Sequence, residues 1–182
     1  MIRRGIVAGE ASGDVLGRHL IHALKQKSTD IEFGDIAGPK MMSEGAHSLF
    51  PMERLSVRGY VEVIKHLFGL LRLRKQLLKH LLNNPIDLFI GIDAPDFNFW
   101  LEKKLKNKGV KTIHYVSPSI WAWRKNRINK IKQAVTHMLA LFPFEPALYQ
   151  QASIPVTYVG HPLADILPIE PDTTAAREGL KL

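Results

Sequence analysis

The stretch Ile86 to Asn98, reading I-D-L-F-I-G-I-D-A-P-D-F-N, constrains the fold more than any other part of the chain. Leu88 to Ile92 is a nearly unbroken apolar run, the pattern of a strand covered on both faces in a parallel sheet. The run stops at Asp93, and Pro95 disfavours the right-handed helical region at Ala94, so a turn is expected there, with a helix from near Phe97. Asp93, Asp96 and Asn98 therefore gather at the carboxyl end of an interior strand, where open α/β sheets hold their ligands. Asp is equally at home turning a chain or capping a helix, so on this stretch alone the carboxylates fit either role.

The rest of the chain alternates in the same way. Strands are expected at Ile2 to Ala8, Ile31 to Ala37, Ser48 to Phe50, Asp87 to Ile92, Lys111 to Val116, His137 to Phe142 and Val156 to Val159. Helices are expected at Val15 to Lys27, Lys40 to Glu44, Tyr60 to Leu82, Phe97 to Asn107, Trp121 to Ala134 and Pro146 to Gln151. Strands separated by helices give an α/β fold, a three-layer domain with a mostly parallel sheet. Residues 164–182 differ: Pro168 and Pro171 stand among Asp165, Glu170 and Asp172, ahead of a short helix-like Thr174 to Leu180. That is the composition of a linker between domains, which bounds the folded unit at residues 1–163 and leads toward a further domain.

Two more segments carry chemistry. Gly9-Glu10-Ala11-Ser12-Gly13-Asp14 joins the first strand to the first helix, where glycines allow close backbone approach and the helix start attracts an anion. It has neither phosphate-loop nor dinucleotide-fold spacing, and a tight turn with Ser12 as N-cap reads equally well. At Lys111 to Arg124 a strand ends on Ser117-Pro118 and a helix opens with Trp121 and Trp123, followed by Arg124, Lys125, Arg127, Lys130 and Lys132. A packed core and a solvated basic face explain these residues as simply as contact with phosphate does. The eight histidines lack ligand spacing with carboxylates, so neither a metal site nor a cofactor is expected.

A formal charge of +8 implies an anionic partner: a phosphorylated substrate, an acidic lipid surface or nucleic acid. The absence of cysteine excludes disulfides, and the N-terminus lacks the apolar run of a signal peptide. Val61, Val63, Ile64, Leu67, Phe68, Leu70 and Leu71 crowd beside Arg58, Lys65, Arg72, Arg74, Lys75 and Lys79. The longest charge-free run there, His66 to Leu71, is far shorter than the ~20 residues needed to span a bilayer. A basic amphipathic helix lying in the interface fits, as does an ordinary core-facing helix.

Taken in order, G-E-A-S-G-D-V-L-G at 9–17, A-G-P-K-M at 37–41, G-I-D-A-P-D-F-N at 91–98, K-T-I-H-Y-V-S-P-S-I-W-A-W-R at 111–124, F-P-F-E at 142–145 and Y-V-G-H-P-L at 158–163 closely resemble lipid-A-disaccharide synthase. The resemblance covers essentially the whole chain, and the chain covers the N-terminal half of that family. It implies a Rossmann-like domain, the acceptor-side half of an inverting GT-B glycosyltransferase that joins UDP-2,3-diacylglucosamine to 2,3-diacylglucosamine 1-phosphate. It implies Asp93 as the catalytic base, with Glu10 and Ser12 as second choices in the same cleft. Gly13, Asp96, Asn98, Ser117 and Arg124 complete the substrate-binding candidates, although Asp96 and Asn98 suit shaping of the turn better and Arg124 suits a salt bridge as well as the acceptor phosphate. It also implies Val61, Val63, Ile64, Leu67, Leu70 and Leu71 as a membrane-facing set. The expected location is cytoplasmic, peripheral on an anionic surface at the inner face of the inner membrane. The donor-binding half lies outside these residues, so residues 1–182 alone are expected to be inactive and, with an apolar face uncovered, to self-associate as a homo-oligomer.

Two rivals belong to other classes. One is a non-catalytic module that binds acylated sugar phosphate or membrane. The other is a nucleic-acid binder, which rests only on charge and the Trp-Arg-Lys segment, without a recognised motif.

Overall fold

A computed structural model describes residues 2–28, 30–55, 60–120 and 127–180, without the side chains at 2 and 60–66. Among the described residues the chain runs β1 (Ile2–Ala8), α1 (Ala11–Lys27), β2 (Ile31–Ile36), α2 (Pro39–Ser43), β3 (His47–Ser48), a 3-10 turn (Met52–Arg54), α3 (Tyr60–Asn83), β4 (Leu88–Ile92) and α4 (Pro95–Lys106). It continues with β5 (Lys111–Tyr115), α5 (Ile128–Ala134), β6 (His137–Ala140), α6 (Glu145–Gln151), β7 (Val156–Tyr158), α7 (Leu163–Ile166) and α8 (Thr173–Leu180). The strands form one seven-stranded sheet of order β3-β2-β1-β4-β5-β6-β7, with every pairing parallel.

This is the α/β layering expected, and the apolar runs are its cause. Ile6, Val7 and Ala8 in β1 and Phe89, Ile90 and Ile92 in β4 are buried, as strands sandwiched between helix layers must be. Val7 stands opposite Ile36 on one side and Gly91 on the other, and Ala8 stands opposite Ile92. The order of strands reverses between β1 and β4, which opens a crevice at their carboxyl ends. A second apolar cluster, including Ile120, Ile131, Met138 and Tyr149, closes the sheet under α5 and α6.

Several element ends differ from expectation, each for a local reason. The first helix begins at Ala11, not Val15, with Glu10 at the N-cap, so Ser12 lies on the first turn and caps nothing. Asp14 is buried and caps a different helix: its carboxylate accepts from the Lys40 and Met41 amides at 3.0 and 2.9 Å. A Cβ on Gly38 would collide with that carboxylate, so the cap requires glycine there. The helix expected from Phe97 begins at Pro95, whose fixed φ suits the first helical position. The strand expected to reach Phe142 stops at Ala140, because the amides of Leu141 and Phe142 donate to Glu145 Oε2 instead. Of the helix expected at Trp121 to Ala134, residues 121–126 lie outside the described part.

The long helix α3 divides along its length. Leu73, Leu77 and Leu81, four residues apart, are buried as a core-facing stripe. Nearer its start Leu67 and Phe68 stand 46% and 78% exposed. The side chains of Val61, Val63 and Ile64 lie outside the described part. Among the described residues no helix is long and apolar enough to cross a membrane. Across residues 163–180 every described side chain is exposed.

Candidate active site

The crevice is built by two turns pressed together. Gly9 follows β1 so closely beside the β4–α4 turn that a Cβ on it would overlap that of Ala94. Asp93 and Ala94 both adopt left-handed backbone, with φ 51° and 44°, and Val116 at the next strand end has φ 84°. Non-glycine residues there cost of order 1–3 kcal/mol each, and such strain collects where surrounding structure holds a functional geometry. Asp93 is anchored through its amide, which donates to the Tyr115 carbonyl at 3.0 Å. The buried Asn98 amide donates to the carbonyls of Ile92 and Asp93, at 3.4 and 2.8 Å. The Asp93 side chain, half-buried, lines a cavity of about 380 Å³ with Val116, Ser117, Pro118, Ser119 and Arg127.

Two further cavities adjoin it. On the α3 side, Leu55, Leu67, Leu70, Leu71 and Phe97 line an apolar hollow of about 380 Å³ with Glu10 and Arg74 at its polar edge. On the α5 side, Arg74, Trp100, Lys103, Arg127 and Lys130 line a basic hollow of about 510 Å³. Pro95 lines all three, and Asp96 borders the apolar and basic ones. Asp96 pairs with Arg127 at 2.7 Å, and Arg74 lies 4.3 Å above the Trp100 ring while donating to the Asp96 carbonyl at 3.3 Å.

The structure thus brings Asp93, Asp96 and Ser117 to connected cavities, with Glu10 on the apolar side. Ser117 is engaged: its Oγ lies 2.6 Å from the buried Tyr149 hydroxyl, whose pKa burial pushes up to about 12. Tyr149 therefore stays protonated and donates to Ser117, which in turn donates to the Pro118 carbonyl at 3.2 Å. Asn98 lies behind the turn and reaches the site only through the backbone it holds. Ser12 is exposed on α1, and Gly13 is buried with room for no more than ordinary contact with Ile92. Arg124 lies outside the described residues. Sequence reading did not assemble Arg74, Trp100, Lys103 and Lys130 into a site. Lys103 follows Trp100 by one helical turn, as Lys130 follows Arg127, and that spacing was the available signal.

Behind the site, His114 of β5 and Glu102 of α4 are buried completely and meet at 2.7 Å. Burial pushes the Glu102 carboxyl up, opposed by the charge and hydrogen bond of His114. Among the described residues no group of three metal-ligating side chains converges.

A family profile described as lipid-A-disaccharide synthetase matches residues 5–182. The lipid-A-disaccharide synthase of Methylobacillus flagellatus is 68% identical over 178 residues, 98% of this chain and 47% of that protein. That of Chromobacterium violaceum is 56% identical over 181 residues, 100% of this chain and 47% of that protein. The chain thus spans about half the length of the curated relatives it matches. Among solved structures, MurG of Acinetobacter baumannii superposes with a TM-score of 0.57 at 11% identity, over 94% of this chain and 47% of that one. A UGT transferase from Siraitia grosvenorii, solved with UDP, gives 0.55 at 11% identity, over 100% of this chain and 55% of that one. At such low identity these two speak for the fold alone: one Rossmann-like half of the GT-B architecture.

Proposed function

From the premise that the chain belongs to the lipid-A-disaccharide synthase family, we propose that residues 1–163 are the acceptor-side domain of an inverting glycosyltransferase of lipid A biosynthesis, and residues 164–182 the link toward its donor-binding domain. The donor is UDP-2,3-diacylglucosamine and the acceptor 2,3-diacylglucosamine 1-phosphate. The observation that carries this reading is the Asp93 carboxylate, set on a strained turn at the strand-order reversal and lining a cavity.

Asp93 acts as general base. As the acceptor hydroxyl oxygen attacks the donor's anomeric carbon, its proton passes to the Asp93 carboxylate. The new C–O bond forms on the face opposite the breaking bond to phosphate, and UDP departs with that electron pair. A positioned base contributes about 10²- to 10⁴-fold, whereas orienting donor and acceptor together is worth ~7–11 kcal/mol. Residues 1–182 by themselves therefore do not transfer sugar. The exposed Leu67 and Phe68, on a helix rich in lysine and arginine, support peripheral seating on the cytoplasmic face of the inner membrane.

The test is Asp93→Asn in a complete two-domain enzyme carrying these residues. Turnover is expected to fall about 10²- to 10⁴-fold with folding preserved, since Asn shares the turn preferences of Asp. Near-normal turnover would remove Asp93 from the chemistry.

A further inference from the structure

Three hollows of different chemistry meet at one residue, Pro95. One holds the Asp93 carboxylate, one is walled by leucines and Phe97, and one is basic. The basic hollow sets four cationic side chains against the single carboxylate of Asp96. Arg127 is paired with that carboxylate, and Lys103 donates to Gln133 Oε1 at 2.7 Å. Arg74 is packed on Trp100 and partly buried, which holds its pKa below the ordinary guanidinium range. Positive charge thus exceeds what the protein itself neutralises, in a concave setting where an anion is favoured. Each volume falls within about 300–1,000 Å³, the range of ligand pockets.

We propose that the basic hollow formed by Arg74, Lys103, Arg127 and Lys130 binds the phosphate monoester of an acylated sugar phosphate, while the hollow of Leu55, Leu67, Leu70, Leu71 and Phe97 takes its acyl chain. This inference rests on the glycosyltransfer reading and assigns the acceptor's parts within that site. A molecule with a hydroxyl to deprotonate, a fatty chain and a phosphate matches the three hollows in turn. The shared wall of Pro95 and Asp96 lets one ligand reach the apolar and basic hollows together, and Arg127 links the basic one to the Asp93 cavity. Guanidinium groups suit the phosphate through paired N–H donors, and the lysines through charge alone.

The experiment uses the two-domain enzyme with Lys103→Gln and Lys130→Gln combined, neither residue lying in the core. The variant is assayed with 2,3-diacylglucosamine 1-phosphate and with the same acceptor lacking its phosphate. The expected result is a KM about tenfold higher for the phosphorylated acceptor, a donor KM unchanged within twofold, and no matching penalty with the dephosphorylated acceptor. Equal penalties on both acceptors, or no penalty on either, would overturn the assignment. So would lost flotation with phosphatidylglycerol vesicles while the KM for the phosphorylated acceptor stays normal, since the hollow would then serve bilayer headgroups. If the wild-type enzyme transfers no sugar, the glycosyltransfer reading fails on its own. Equilibrium binding of the two acceptors to wild type and variant then decides the phosphate site by the same comparison.

Discussion

The side-chain amide of Asn98 donates a 2.8 Å hydrogen bond to the main-chain carbonyl of Asp93, tying a buried residue of α4 to the residue at the mouth of the crevice. Asn98 faces no cavity described above. It holds a strained turn whose φ at Asp93 is 51°, and the carboxylate's aim depends on that turn. Asn98 is therefore a positioning residue rather than a catalytic one.

Asn98→Ala in the two-domain enzyme should leave the Ile92 and Asp93 carbonyls without that donor and let the turn relax. A displacement near 1 Å at reacting groups can cost about 10²-fold, so kcat should drop roughly 10- to 10²-fold while both KM values stay within about twofold. Stability should fall by about 1–3 kcal/mol. A loss of stability at unchanged kcat would show that the hydrogen bond serves the fold alone.

Asp35 gives stability a pH dependence. It sits in β2 with its Oδ2 buried and unpartnered among the described residues, at φ 126°. Burial raises its pKa from 3.8 to about 7, with Arg3 pulling the other way. The folded state thus keeps a proton that the unfolded chain gives up between roughly pH 4 and 7, so stability falls as pH rises through that window and levels off above it. The shift sets an upper bound on the order of 4 kcal/mol. Asp35→Asn should flatten the profile, gaining at pH 8 relative to wild type and gaining little at pH 4. Urea midpoints at both pH values measure this, and parallel profiles would refute it.

The His114–Glu102 pair should behave as a unit. Replacing His114 by Phe leaves Glu102 buried without its partner, at an expected cost of about 3–5 kcal/mol. Adding Glu102→Leu removes the stranded carboxyl and should recover most of that loss, because an apolar pair of similar size is often no worse than a buried ion pair. Denaturant unfolding of the two single variants and the double variant gives the coupling. Strictly additive losses would mean that the two groups do not support each other.

Membrane seating can be probed at the described part of α3. Leu67→Ser with Phe68→Ser removes two exposed apolar side chains, each worth up to ~1.5–3 kcal/mol when taken out of water. Flotation of the two-domain enzyme with anionic vesicles should weaken at least tenfold, and wild-type flotation should fall as salt is raised. Equal flotation of the two proteins would end this assignment.

Much of the sheet was legible in the sequence because its strands are apolar runs stopped by glycine, proline or aspartate. Helix starts were less so. At Asp93 and Ala94 the chain turns through two left-handed residues and gains two helical positions that a steric rule about proline does not anticipate. The cap that Asp14 supplies to α2 was out of reach for a related reason. Local preference assigns such a residue to its own helix, whereas its partners are amides of Lys40 and Met41 that only folding brings near. Asp93 stood out because it ends the strongest strand signal. The basic hollow did not, since Arg74, Trp100, Lys103, Arg127 and Lys130 come from three helices and adjoin only in space.

Because β1 lies inside the sheet, between β2 and β4, its two edges are satisfied at very different moments of synthesis. β2 can pair with it once residue 36 is available, whereas its other neighbour begins only at Leu88. Between those events about fifty residues are added, some 3–10 s at about 5–20 residues per second. Throughout that interval Ile6, Val7 and Ala8 offer an open apolar edge of the kind that nucleates wrong pairing. A ribosome-bound fragment that stops before β4 should therefore be a ready client for chaperones. One that extends past α4 should be released from them, with the crevice between β1 and β4 closing in the same step.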